Sequence, residues 1–182
     1  MERLPTKFAE VFRLRPQVFR DSRGYFFEPY NEARLASLGI TNHFVMDGES
    51  FSRRGTVRGL HFREPGEAKL VRCVRGTIWD VVVDIRPGSA TFGQWEGHEL
   101  SSDNFEQLLV PIGFAHGFSV LSEEAAMLYK KTELYDAKAE KGIRLDDPAI
   151  GVDWRVPITT MSDRDRTAPT LKEWATGHRL QL

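Results

Sequence analysis

Two histidines stand in separate strand-like stretches, His61 beside Gly59 and His116 between Gly113 and Gly117. Glycines at such places let another backbone or a ligand come close. Arg58, His61 and Lys69 form a polar cluster inside a run otherwise built from Val57, Leu60, Phe62, Leu70, Val71, Cys73 and Val74. Histidine has the side-chain pKa nearest neutrality, so it can take a proton from a carbon next to a carbonyl. Such a base needs a carboxylate to orient it, a cation for the developing enolate oxygen, and often an acid on the opposite face. The chain holds all three types, but spacing alone does not pair them, and His61 taken alone also reads as a structural histidine. No metal site is expected. Two imidazoles a strand apart, with Arg63 and Lys69 nearby, lack the ligand set of a divalent cation.

A sheet has to hold these groups. Residues 78–85 alternate Trp79, Val81, Val83 and Ile85 on one face with Ile78, Asp80, Val82 and Asp84 on the other. Val74-Arg75-Gly76-Thr77 before them reads as a tight hairpin connection. Other strand-like runs fall at 11–19 (broken at Pro16), 25–30, 44–46, 56–62, 70–74, 92–100, 106–111, 117–121 and 127–132. Asn31 caps a short helix that carries Leu35 and Leu38 and stops at Gly39. Residues 171–175 form another. Many short strands without helical crossovers predict an all-β sandwich or barrel with a few short helices, as one domain over residues 1–182. In a regular strand Arg58 and His61 point to opposite faces. A bulge at Gly59, or a long reach by Arg58, would bring them together.

The chain has 182 residues, 41% hydrophobic and 28% charged, with a net charge of −1. That balance gives no electrostatic footprint for nucleic acid, and no apolar run approaches a membrane span. One cysteine, Cys73, excludes an internal disulfide. Without an apolar leader, a cytoplasmic protein is expected. Asp80 and Asp84 read as solvated or paired, His43, His98 and His178 as surface residues, and Trp79, Trp95, Trp154 and Trp174 as core and interface.

Pro111-Ile112-Gly113-Phe114-Ala115-His116 is similar to the second signature of the cupin jelly roll. A longer resemblance runs in order through Asp21-Ser22-Arg23-Gly24-Tyr25-Phe26-Phe27-Glu28, Arg58-Gly59-Leu60-His61-Phe62, Lys69-Leu70-Val71 and Asp80-Val81-Val82-Val83-Asp84-Ile85-Arg86. It continues through Ser89-Ala90-Thr91-Phe92-Gly93, the His116 segment, Leu128-Tyr129-Lys130 and Ser162-Asp163-Arg164-Asp165. Together these stretches resemble the dTDP-4-dehydrorhamnose 3,5-epimerase family.

The resemblance implies a homodimeric cupin jelly roll that epimerises a nucleotide-diphosphate 4-keto-6-deoxy sugar at C3, C5 or both, with neither metal nor redox cofactor. It matches His61 to the base, Asp165 to its orienting carboxylate, Tyr129 to the opposing acid and Lys69 to the cation near the sugar O4. Arg58, His116 and Tyr135 match residues lining the sugar-diphosphate site. Arg23, Phe26 and Glu28 match a segment that reaches the nucleotide across the dimer interface. A ketoisomerase or a non-catalytic sugar-binding cupin would use the same scaffold, but neither needs the complete His61, Asp165, Tyr129 and Lys69 set. The chain departs from the pattern at Met46-Asp47-Gly48, where the family has Gln-Asp-Asn, and at Arg63, where it has glutamine. Those changes bear on which sugar nucleotide fits more than on the reaction.

Overall fold

The computed structural model describes residues 1–177, so His178 lies outside the described residues. The alternation along β8 (Thr77–Asp84) dictates the architecture. Ile78 and Val82 enter one buried cluster, while Val81 and Val83 enter a second. A strand with two apolar faces needs cover on both sides. It lies in a five-stranded antiparallel sheet ordered β13 (Glu140–Gly142), β6 (Val57–Arg63), β11 (Phe114–Val120), β8 and β9 (Trp95–Ser101).

A six-stranded antiparallel sheet faces it, ordered β1 (Glu2–Leu4), β2 (Phe12–Arg15), β10 (Gln107–Val110), β7 (Lys69–Arg75), β12 (Glu124–Lys131) and β5 (Met46–Arg53). Val71, Cys73, Leu108 and Met127 of this sheet meet Ile78, Val82, Leu100 and Phe118 of the other in a shared core. The result is a cupin jelly roll. Its outer faces are covered too. The short helix α1 (Glu32–Ser37), whose first turn is capped by Asn31 Oδ1 accepting from the Arg34 amide, lays Leu35 against Leu14, Leu70 and Leu109. Burying such a leucine contributes about 1.5–3 kcal/mol relative to exposure. On the other side the C-terminal segment brings Trp154 and Trp174, the latter on α3 (Leu171–Gly177), against Val57, Phe62 and Val83.

The connection at Gly76 is not a hairpin. β7 pairs with β10 and β12, whereas β8 pairs with β9 and β11, so the turn carries the chain from one sheet to the other. Its glycine has the expected positive φ, +74°, which suits an arch as well as a hairpin. The strand expected at 44–46 lies further along as β5, sharing only Met46, because Asp47, Glu49, Ser50 and Arg53 leave this edge strand without an apolar face to read. His98 is buried rather than on the surface, with Nε2 3.0 Å from Glu96 Oε2.

The bulge required at Gly59 is present. His61 pairs with His116 and Arg58 with Phe118, so three steps along β6 oppose two along β11. Gly59 has φ +135°, and a Cβ there would sit 2.6 Å from Gly117 Cα and 2.9 Å from the His116 carbonyl oxygen. Position 59 therefore admits glycine only. The extra residue leaves Val57, Leu60 and Phe62 in the outer core and turns both Arg58 and His61 toward one cavity.

Candidate active site

His61 is anchored first. Its Nε2 donates to Asp165 Oδ1 at 2.6 Å, leaving Nδ1 as the nitrogen with a free lone pair. Asp165 sits on the four-residue helix α2 (Asp163–Arg166), whose N-cap Ser162 accepts from the Asp165 amide. Burial would raise the Asp165 carboxyl. The His61 hydrogen bond and charge, with help from Ser162 and the Gly59 amide, outweigh it and hold the carboxyl below the usual range. The side chain thus stays ionised and fixes the imidazole ring.

A cavity of about 290 Å³ between the sheets holds most of the remaining candidates. Arg58, His61 and His116 come from the five-stranded sheet, and Lys69 and Tyr129 from the six-stranded one. Tyr135 lies at the rim, 65% exposed. Met127 and Tyr129 share a face of β12, so Tyr129 rises from the shared core, its hydroxyl 2.5 Å from Ser50 Oγ. Burial raises its pKa, with the Ser50 hydrogen bond partly offsetting that, so the phenol is protonated at neutral pH. Lys69 is buried, and burial lowers its pKa while Glu67 Oε1, 3.0 Å away, acts against that. Arg58 donates from Nε to Ser52 Oγ at 2.9 Å, which fixes its guanidinium at the cavity edge. A second cavity of about 370 Å³ adjoins through Arg58, His61 and Arg164 and adds Ser162 and Asp165.

Asp80 was not singled out from sequence as a site residue. It is fully buried, and His116 Nε2 lies 2.9 Å from its Oδ2. Its place on the face shared with Ile78 and Val82, the wall carrying His116, was the available signal. Asp84 is also buried, paired by Arg86, Ser89 and Thr91. Glu67, Lys131, Glu140 and Arg164 escaped the sequence reading as well. Of the three departures, only Gly48 lines the cavity, directly across the ladder from Tyr129. A Cβ at Gly48 would meet Met46 Cε at 3.7 Å and Tyr129 Cδ2 at 3.9 Å, so a side chain fits there and its absence widens the space beside Tyr129. Arg63 is turned away, donating to the Pro65 carbonyl.

Arg23, Phe26 and Glu28 stand apart from the cavity of their own chain. They lie on or just beyond a two-stranded ribbon, β3 (Val18–Asp21) with β4 (Gly24–Phe27). Arg23 pairs with Asp21, Glu28 with Arg34, and Phe26 is 64% exposed. Among the described residues, no three His, Cys, Asp or Glu side chains are grouped to hold a metal ion, and no helix is long and apolar enough to cross a membrane.

A two-sheet cupin cavity, with a carboxylate-bound histidine on one wall and a buried tyrosine and lysine on the other, defines a sugar-nucleotide-epimerase type of cupin. Residues 5–173 match the family model of dTDP-4-dehydrorhamnose 3,5-epimerase, and the chain belongs to that family. It is 47% identical to the dTDP-4-dehydrorhamnose 3,5-epimerase of Methanothermobacter thermautotrophicus, over 93% of this chain and 94% of the relative. It is 38% identical to a dTDP-4-dehydrorhamnose 3-epimerase of Streptomyces niveus, over 93% of this chain and 83% of the relative. Among solved structures, the dTDP-6-deoxy-D-glucose-3,5-epimerase of Legionella pneumophila, in complex with dTDP-4-keto-L-rhamnose, superposes with a TM-score of 0.90 at 40% identity, covering 94% of this chain and 93% of that one.

Proposed function

We propose that this isomerase inverts C3, C5 or both in a dTDP-4-keto-6-deoxyhexose by proton removal from one face and return to the other. The observation that carries the reading is the division of the cavity, with the His61–Asp165 pair on one sheet and Tyr129 on the sheet opposite. A base and an acid on facing walls are what inversion at a carbon requires. His61 Nδ1 takes the proton from the carbon next to the 4-keto group. The bonding electrons move toward O4, and Lys69 meets the resulting enolate charge. As the enolate collapses, Tyr129 delivers a proton to the far face of the same carbon. The imidazolium and phenolate left behind are reset by exchange with solvent.

Arg58 and Arg164 at the cavity mouth suit a diphosphate, since a guanidinium fork pairs well with phosphate oxygens. The test is incubation with a dTDP-4-keto-6-deoxyhexose in D₂O, following deuterium by NMR. Deuterium at C3 or C5 together with inversion is expected. A sugar recovered without exchange at either carbon would overturn the reading.

The ribbon carrying Arg23 and Phe26 supports a homodimer. Phe19, Tyr25 and Phe26 are large, exposed and adjacent, which is the composition of a contact surface. In a dimer, this ribbon would supply Arg23, Phe26 and Glu28 to the partner's cavity. Sedimentation equilibrium is expected to give twice the chain mass, and a monomer at micromolar concentration would remove this part of the reading.

A further inference from the structure

Under the cavity lies a cluster of four charges. Lys69 Nζ is 3.0 Å and Lys131 Nζ 3.2 Å from the same oxygen, Glu67 Oε1. Lys131 Nζ is also 3.0 Å from Glu140 Oε1. All four side chains are largely removed from solvent, and Glu67 is the deepest at 1% exposed. The two lysines face each other across the β7–β12 ladder, Glu67 comes from the loop before β7, and Glu140 from β13. Lys69, Lys131 and Glu140 line the cavity, while Glu67 does not.

Burying two ammonium groups side by side is unfavourable unless a carboxylate faces both. From this geometry we infer that Glu67 is a positioning residue for the epimerisation. It holds the Lys69 ammonium charged and aimed at the sugar oxygen, with Lys131 as the competitor for the same carboxylate. The inference rests on the proposed role of Lys69. The groups acting on Lys69 differ in sign: burial and Lys131 disfavour its charge, while Glu67 and Glu140 favour it.

The test is the pH dependence of kcat and KM for wild type, Glu67→Gln, Glu67→Asp and Lys131→Gln. Removing Glu67's charge is expected to move the alkaline limb of kcat to lower pH by about one unit or more, the usual effect of losing a close opposite charge. KM at neutral pH stays near wild type, and Glu67→Asp restores the limb. Lys131→Gln is expected to move it to higher pH. Merely structural roles would not give shifts of opposite sign. If Glu67→Gln does not fold, Lys131→Gln and Glu67→Asp still decide the matter. Superimposable profiles in the variants that fold, beside an active wild type, would overturn the inference alone. A wild type without exchange would overturn the functional reading instead.

Discussion

Replacing His61 with asparagine is expected to abolish deuterium uptake at both sugar carbons while the sheets stay folded. One base begins each abstraction, so its loss stops exchange as well as inversion. A positioned base contributes roughly 10²–10⁴-fold, and with the enolate then unformed Lys69 has no charge to stabilise. Asparagine removes the ring and its Nε2 donor together, while the Ser162 hydroxyl and the Gly59 amide still face the Asp165 carboxylate. Circular dichroism and thermal unfolding establish that the variant is folded, and NMR in D₂O reads the exchange. Exchange at near wild-type rate would remove His61 from the role of base.

The second large effect belongs to Tyr129. Tyr129→Phe should separate exchange from inversion. His61 can still remove a proton and return it to the same face, so deuterium enters with configuration retained. Inversion needs the donor on the opposite sheet and should fall roughly 10²–10⁴-fold. The ring stays packed on the shared core, and only the hydroxyl and its bond to Ser50 are lost. The space beside Tyr129 at Gly48 leaves room for a sugar ring to be offset under the phenol. One carbon is therefore expected to invert faster than the other in the wild type. Stereochemical analysis of product from both proteins decides it. If the variant inverts both centres at the wild-type rate, Tyr129 only packs, and Tyr135 at the rim becomes the next residue to test.

Much of this site was legible because its residues carry chemistry in local patterns. The opposite parity of Arg58 and His61 called for a bulge at Gly59 or a long reach by Arg58, and the ladder takes the bulge. The inward lean of Tyr129 followed from Met127 two residues earlier. Other parts depend on which strands become neighbours, and alternation carries no such information. Val74-Arg75-Gly76-Thr77 has hairpin chemistry, but both flanking strands find better partners in separate sheets. Asp80 reads as solvated or paired from the sequence, and the β8–β11 ladder decides for pairing by setting His116 beside it. Glu67 sits in a loop, with nothing local to mark it as the counter-ion of two lysines on different strands. The resemblance supplied the pairing of His61 with Asp165. Their spacing did not.

That pairing bears on how the protein is assembled in time. His61 and its carboxylate are 104 residues apart, and nearly every strand of the jelly roll lies between them or pairs across a comparable interval. Contacts that close long loops carry an entropic cost that must be met before they add stability, and topologies dominated by them fold slowly. A chain with both sheets formed but α2 not yet docked already has a cavity, a lysine and a tyrosine. Its imidazole is still unoriented. In a chain folding in that order, orientation of the imidazole would follow the shape of the fold, because its carboxylate sits on a four-residue helix capped by one serine.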